Sequence, residues 1–343
     1  MKIIIYKYSI CIKLIKDKVK KKLEKANIFQ DNYLFKILFI FILMVSILLL
    51  NIYKTYLSKI KVNNSLSYYS CFITMAKLEN KYVRELIEHY KKLGLNKFYI
   101  ADDNSLNSEK LSDVLQDYID EGYIEILDIR EKHYTQKYYF KYSFDKYKSK
   151  CKWMLYFDID EYLEFVDKNI TINDYLSQGR FNKCEVIKIN WVMYTNDNLL
   201  YYDNRSLKER FPNPTYIRED VRAVKSIVRN DSRRNPWVHN SAPHEPAKGL
   251  YSCNSIGKYS PFRYGRIYPP ILSYCYLKHY HYKTIEEFVF KINKGFNGKK
   301  FDIDNKVKIY FERNKYSKEK INLAEKLFNR TFKWLHKKQF NRK

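Results

Sequence analysis

The chain has 343 residues, 45% of them hydrophobic, and carries 64 Lys and Arg against 38 Asp and Glu, a formal charge of +26. That apolar content excludes a wholly disordered chain and supports a large core. The basic residues are spread along the whole length among Tyr, Asn and Ile rather than gathered in one stripe, which speaks against a specific nucleic-acid partner.

Residues 1–32 read as a basic tail that includes Lys20-Lys21-Lys22. Ile37 to Tyr53 then runs seventeen residues without a charge, and extending it back to Tyr33, with Lys36 reaching the headgroups, predicts a transmembrane helix over residues 33–53. Nine lysines precede this segment, and only Lys54, Lys59 and Lys61 follow it before Tyr68, which places the amino terminus in the cytoplasm. The remainder would face a Golgi or secretory lumen in a eukaryote, or be held at the inner membrane in a bacterium. Residues 54–67 are polar and aperiodic and form a stem.

Tyr68 to Met75 is rich in β-branched and aromatic residues and predicts the first strand. Asn80 is a good helix N-cap, Val83, Leu86, Ile87, Tyr90 and Leu93 recur at helical spacing, and Gly94 stops the helix. Lys97 to Ala101 predicts a second strand, a helix follows over Leu111 to Ile119 with Gly122 as its stop, and Tyr123 to Ile129 predicts a third strand. Strand, helix, strand, helix, strand calls for a mostly parallel, Rossmann-like sheet flanked by helices. Asp102, Asp103 and Asn104 follow the second strand directly, where open α/β sheets bind ligands. They are candidates for base or ribose hydroxyls of a nucleotide; the alternative is a polar turn capping a helix.

The apolar run Trp153 to Phe157 predicts a strand buried on both faces, followed at once by Asp158, Asp160 and Glu161. Unpaired buried carboxylates are costly, so the three acids are expected just beyond the strand rather than in the core. Two aspartates one residue apart can turn to one point, and hard oxygens suit Mn²⁺ or Mg²⁺ bridging to a diphosphate. The alternative is a solvated turn whose acids cap the next element. With eight glycines and no G-x-G-x-x-G or G-x-x-x-x-G-K-[ST], a glycine-rich phosphate loop is excluded.

Thr171 to Gln178 predicts a short helix and Cys184 to Trp191 a strand. Tyr201 to Pro270 holds every proline and suits acceptor-side loops. His239 there could reach a metal or phosphate, as could His281, whose tyrosine neighbours favour simple packing. For a general base at an acceptor hydroxyl, Glu161, Asp220 and Glu245 stay open. A helix is expected over Thr284 to Phe296, then a basic helical extension over residues 297–343. The six cysteines show no C-x-x-C pair, and the five beyond the membrane segment leave room for one bridge in an oxidising lumen.

Several blocks together resemble glycosyltransferase family 92 and the neighbouring family-2-like enzymes: Ala76-Lys77-Leu78-Glu79-Asn80, the helix with Glu85, Glu88, His89 and Tyr90, Asp102-Asp103-Asn104-Ser105, Trp153 to Leu163, Lys225 to Arg229, His239, and His279 to Lys283 with Phe288, Lys291 and Gly295. The resemblance covers Tyr68 to Gly295, with one departure at Leu78, where the related enzymes more commonly carry Asn. It implies a GT-A fold over residues 68–296, a nucleotide-sugar donor that is often UDP-galactose, Mn²⁺, and inversion at the anomeric carbon. It also implies that Glu79 and Asp103 contact the nucleotide, and that Asp158 and Asp160 hold metal and diphosphate. The expected activity is transfer of a hexose, galactose first, to a glycan acceptor. Two rivals are a metal-dependent phosphotransferase or hydrolase using the same aspartates, and a membrane-anchored glycan-binding scaffold that has lost catalysis.

Overall fold

The computed structural model describes residues 66–196, 199–215, 221–232, 235–237, 249–260, 265–293, 307, 309–311 and 318–328. The chain divides into two units, Met1–Asn64 and Ser65–Lys343, and every described residue belongs to the second. The transmembrane helix expected at residues 33–53 lies outside the described residues, as do the tail and most of the stem. Among the described residues no helix is long and apolar enough to cross a membrane.

The first half follows the expected order: β1 (Tyr68–Ala76), α1 (Asn80–Lys92), β2 (Lys97–Asp102), α2 (Ser112–Asp120), β3 (Ile124–Asp128), α3 (Gln136–Tyr147) and β4 (Cys151–Tyr156). The strands lie in the order β3-β2-β1-β4, all parallel. β1, β2 and β4 are largely buried on both faces because their side chains alternate between two cores, whereas the edge strand β3 is only partly buried. Phe72, Phe98 and Ile100 join the core under α1 and α2, whereas Ile73, Tyr99 and Tyr156 join the one under α3. Gly94 and Gly122 end α1 and α2 in the left-handed region, at φ 79° and 70°.

Asn80, expected as the N-cap of α1, is instead its first residue. The cap is Glu79, whose side chain makes no capping bond, and Asn80 Nδ2 donates across to the Lys110 carbonyl at 2.8 Å. Helix α3 escaped the sequence reading. Its buried Tyr139, Phe140, Phe144 and Tyr147 form one stripe, but the aromatics are mixed with lysines and exposed tyrosines, so the periodicity is shallow. Thr135 caps it, accepting from the Tyr138 amide at 3.2 Å.

Beyond β4 come β5 (Glu161–Phe165), α4 (Ile172–Ser177), β6 (Val186–Tyr194), α5 (Leu207–Arg210), β7 (Pro214–Thr215), β8 (Val224–Arg229), β9 (Ser252–Asn254), β10 (Cys275–His279), α6 (Ile285–Asn293) and α7 (Lys318–Phe328). The full sheet runs β3-β2-β1-β4-β8-β6-β10-β5, with β7 and β9 also pairing with β6. Here the expectation of a mostly parallel sheet is corrected to a mixed one, because β8 runs antiparallel to both β4 and β6, and β5 antiparallel to β10. A parallel neighbour needs a long crossover, usually a helix, and between β6 and β8 the only described helix is the four-residue α5.

Two disulfides replace the single bridge that the cysteine count allowed: Cys71–Cys151 joins β1 to β4, and Cys184–Cys253 joins the approach to β6 to β9. Of the basic helical extension expected over residues 297–343, the described residues 307, 309–311 and 318–328 are helical and pack beside α6. Tyr310 stacks on Phe288 of α6 at 3.7 Å, and Ile321 and Ala324 of α7 are buried in the same cluster.

Candidate active site

The strand register gathers the site at one rim. Ala76 lies opposite Asp102, and Ile73 opposite Tyr156, so the ends of β1 and β2 stand level with the acidic segment that follows β4. On the other side of β4, Tyr156 pairs with Ser226 of β8, which brings Lys225 to that rim. His279, the last residue of β10, pairs with Glu161, the first of β5. Residues far apart in sequence therefore meet around the 158–161 turn.

Two of the three acids are buried, contrary to the expectation that all would lie outside the core: Asp160 is 8% exposed and Glu161 0%. Each has a cationic partner. The Asp158 carboxylate accepts from Gln136 Nε2 at 2.7 Å and from Lys225 Nζ at 2.5 Å. Lys225, itself wholly buried, also lies 3.4 Å from Glu161 Oε1, and the other Glu161 oxygen accepts the Asp158 amide at 2.9 Å. Burial pushes the Glu161 carboxyl well above its usual range, with Asp158 and Asp160 adding to the rise and Lys225 only partly offsetting it. For Asp160 burial acts in the same direction, but Lys291 and His279 outweigh it and hold the carboxyl well below the ordinary range.

Asp160 is the centre of the second group. Its Oδ2 accepts from Lys291 Nζ at 3.0 Å, its Oδ1 lies 3.4 Å from His279 Nε2, and its carbonyl accepts the Tyr280 amide at 2.9 Å. One ligand atom each from Asp160, His279 and His281 lie within 4.8 Å of one another. A carboxylate with two imidazoles fits Mn²⁺, and His279 Nδ1 is buried with no hydrogen-bond partner among the described residues. Asp158 does not join this triad. The D-x-D pair thus splits its work, with Asp158 turned to Lys225 and Asp160 to the histidines. His281 packs edge-on against Tyr282 at 4.9 Å, as its neighbours suggest, yet its Nδ1 also faces Lys291 at 3.2 Å.

The cluster after β2 is partly structural. Asp102 spends both carboxylate oxygens on backbone amides, of Asn104 at 3.0 Å and Leu111 at 3.1 Å. Asn104 Oδ1 accepts the Leu78 amide at 2.5 Å, while its Nδ2 is buried with no hydrogen-bond partner among the described residues. Asp103 is half-buried, and desolvation raises its carboxyl despite Lys77 nearby. Glu79 lines a small cleft with Leu78, Tyr82, His281, Lys283, Glu287, Phe290 and Lys291. His239, Asp220 and Glu245 lie outside the described residues.

The cleft is braced from behind. Glu287 of α6 is 7% exposed; it pairs with Arg210 at 2.7 Å and accepts from Tyr82 at 2.7 Å and from the Thr284 hydroxyl at 2.7 Å. Glu85 of α1 accepts the Leu207 amide at 3.0 Å, tying α1 to α5. These contacts fix α6, and Lys291 with it.

The profile of Glycosyltransferase family 92 matches residues 67–321, about three-quarters of the chain. The chain belongs to this family. It is a glycosyltransferase, and the α/β architecture with its mixed sheet is the scaffold of that activity. Among solved structures this family 92 enzyme is similar to S. aureus TarS residues 1–349, at 12% identity and a TM-score of 0.34 over 80% of this chain and 75% of that one. For S. aureus TarS itself the figures are 12% and 0.34 over 80% and 45%. For the 1–349 fragment in complex with UDP they are 11% and 0.35 over 80% and 75%. At these scores the likeness carries no further argument. No curated protein matches the chain.

Sequence reasoning on the candidate residues did not single out His279, Lys225 or Lys291 of this glycosyltransferase, although all three sit in blocks that carry the family resemblance. The missing signal was the pairing of β8 with β4 and of β10 with β5, which no local pattern encodes.

Proposed function

We propose that this glycosyltransferase moves a hexose, galactose first, from a UDP-sugar to a glycan acceptor with inversion, and that it depends on Mn²⁺ or Mg²⁺. The observation that carries the reading is the Asp160, His279 and His281 triad at the carboxyl rim of the sheet, beside a cleft lined by Lys283 and Lys291. When bound there, a divalent cation supplies positive charge for a diphosphate leaving group. The two lysines face the same charge from the cleft, preorganised by α6. Asp103 and the Asn104 amide are the groups at the β2 end for nucleoside hydroxyls.

Glu161 is wholly buried, and its carboxylate serves the Asp158 amide and Lys225. Its role is therefore to position the acidic turn, and the general base falls to Asp220 or Glu245 on the acceptor side. The anchor at residues 33–53 puts the catalytic domain across the membrane from a cytoplasmic amino terminus. Two disulfides support an oxidising compartment for that domain.

The test is release of nucleotide from a panel of UDP- and GDP-hexoses by the full-length enzyme, with Mn²⁺ and with EDTA, beside Asp160→Ala. One UDP-hexose should turn over with Mn²⁺ alone, and the variant should lose at least about 100-fold. Turnover indifferent to both EDTA and Asp160→Ala would overturn the metal reading.

A further inference from the structure

Lys291 occupies an unusual place. Its ammonium bonds Asp160 Oδ2 at 3.0 Å and His281 Nδ1 at 3.2 Å, two residues of the triad whose ligand atoms cluster within 4.8 Å. An ammonium has only donors, so His281 Nδ1 meets it with a lone pair, and Nδ1 is one of the two nitrogens that His281 can offer a metal. The Lys291 side chain keeps 19% of its surface exposed and reaches the site on a flexible four-carbon stem from the last full turn of α6. The neighbouring Lys283 is 6% exposed, with its ammonium 3.8 Å from the centre of the Tyr82 ring and no hydrogen bond or ion pair of that ammonium among the described residues. Two cations thus flank the cleft, Lys291 paired with Asp160, and Lys283 attracted by Glu79, Asp160 and Glu287 without an ammonium hydrogen bond to any of them. An entering dianion would complete the set.

We propose that Lys291 is a resident cation that keeps Asp160 and His281 engaged until a nucleoside diphosphate arrives, so that metal and nucleotide bind as a coupled pair. This rests on the reading of Asp160, His279 and His281 as the metal site. A divalent ion approaching alone meets the Lys291 charge on two of its ligands. A diphosphate in the cleft gives the ammonium another partner beside Lys283, and its transfer from the carboxylate to a phosphate oxygen frees both ligand atoms. No covalent bond is made or broken in this exchange. The enzyme would hold little metal without donor and would bind metal tightly with it.

The experiment is Mn²⁺ binding to the full-length protein, followed by the electron paramagnetic resonance of free Mn²⁺, with and without UDP, for wild type, Lys291→Met, Lys291→Gln and Lys291→Arg. UDP should tighten Mn²⁺ binding to wild type by about tenfold or more. Both neutral variants should bind Mn²⁺ alone about tenfold more tightly than wild type and lose most of the UDP effect, while Lys291→Arg, which keeps the charge, should stay close to wild type. Circular dichroism melts establish that the variants are folded, and two neutral variants keep the comparison available if one is not. Neutral variants that bind Mn²⁺ no more tightly than wild type, with the UDP effect intact, would overturn the resident-cation proposal and leave the metal site standing. Absence of Mn²⁺ binding to wild type and variants alike, with UDP present, would overturn the metal reading itself.

Discussion

At the scale of single residues, Lys225 shows how a fold can carry three carboxylates in four positions. Its side chain is wholly buried and touches Asp158 and Glu161. Removing one member of such a buried group strands the others, which costs more than the pair contributes net. Lys225→Met should therefore destabilise the domain by about 3–5 kcal/mol in urea unfolding. Glu161→Gln should cost much less, since the amide oxygen still accepts from Asp158 and the carboxyl it replaces is already pushed toward its neutral form. Equal stability of Lys225→Met and wild type would contradict this account. Leu78 is a different case. It sits at φ 52°, in the left-handed region that Asn tolerates far better than Leu. An Asn at this position, as the resemblance implies, would suit that backbone better than Leu78 does.

At the scale of elements, α1 is joined to the distant β5 through His89, whose Nε2 donates to the Leu163 carbonyl at 2.8 Å. The ring packs between Tyr90 and Tyr162, both 5.1 Å away. Burial lowers its pKa to about 4, with the Leu163 carbonyl and Glu164 opposing the fall and Lys278 and Lys208 adding to it. The unfolded chain takes up this proton first as pH drops through about 6.5, so stability should be lost progressively between pH 6.5 and 4, by up to about 3 kcal/mol from this group. His89→Gln keeps a neutral donor and should flatten that limb of the urea-midpoint profile; an unchanged limb would exclude His89 as its source. The same scale marks what the sequence made legible. The β1 to β3 half was readable because its helices and strands are local and strongly patterned. The acidic rim was readable because Trp153 to Phe157 ends so abruptly in carboxylates. The second half was not, because β5, β8 and β10 find partners far away in the chain, and antiparallel pairing leaves no crossover signature.

At the scale of the whole molecule, the two bridges close loops with sequence separations of 80 and 69 residues, and each is worth about 2–5 kcal/mol. Alkylation of the denatured, unreduced protein should tag Cys275, the free buried thiol of the described residues, and reach Cys71, Cys151, Cys184 and Cys253 only after reduction. Protein made in an oxidising compartment should melt higher than the same protein reduced. Full labelling of all five without reductant would remove both bridges and the argument for compartment that rests on them.

The bond between Lys291 and Asp160 spans 131 residues of sequence. A ribosome making this chain releases β1 to β4 and the acidic turn long before β10 and α6 exist, so the parallel half can pair while the histidines and lysines of the site are still unmade. A product that stops short of residue 291 lacks the Lys291 ammonium that Asp160 accepts from, so the candidate site is completed only in the last part of the chain's synthesis.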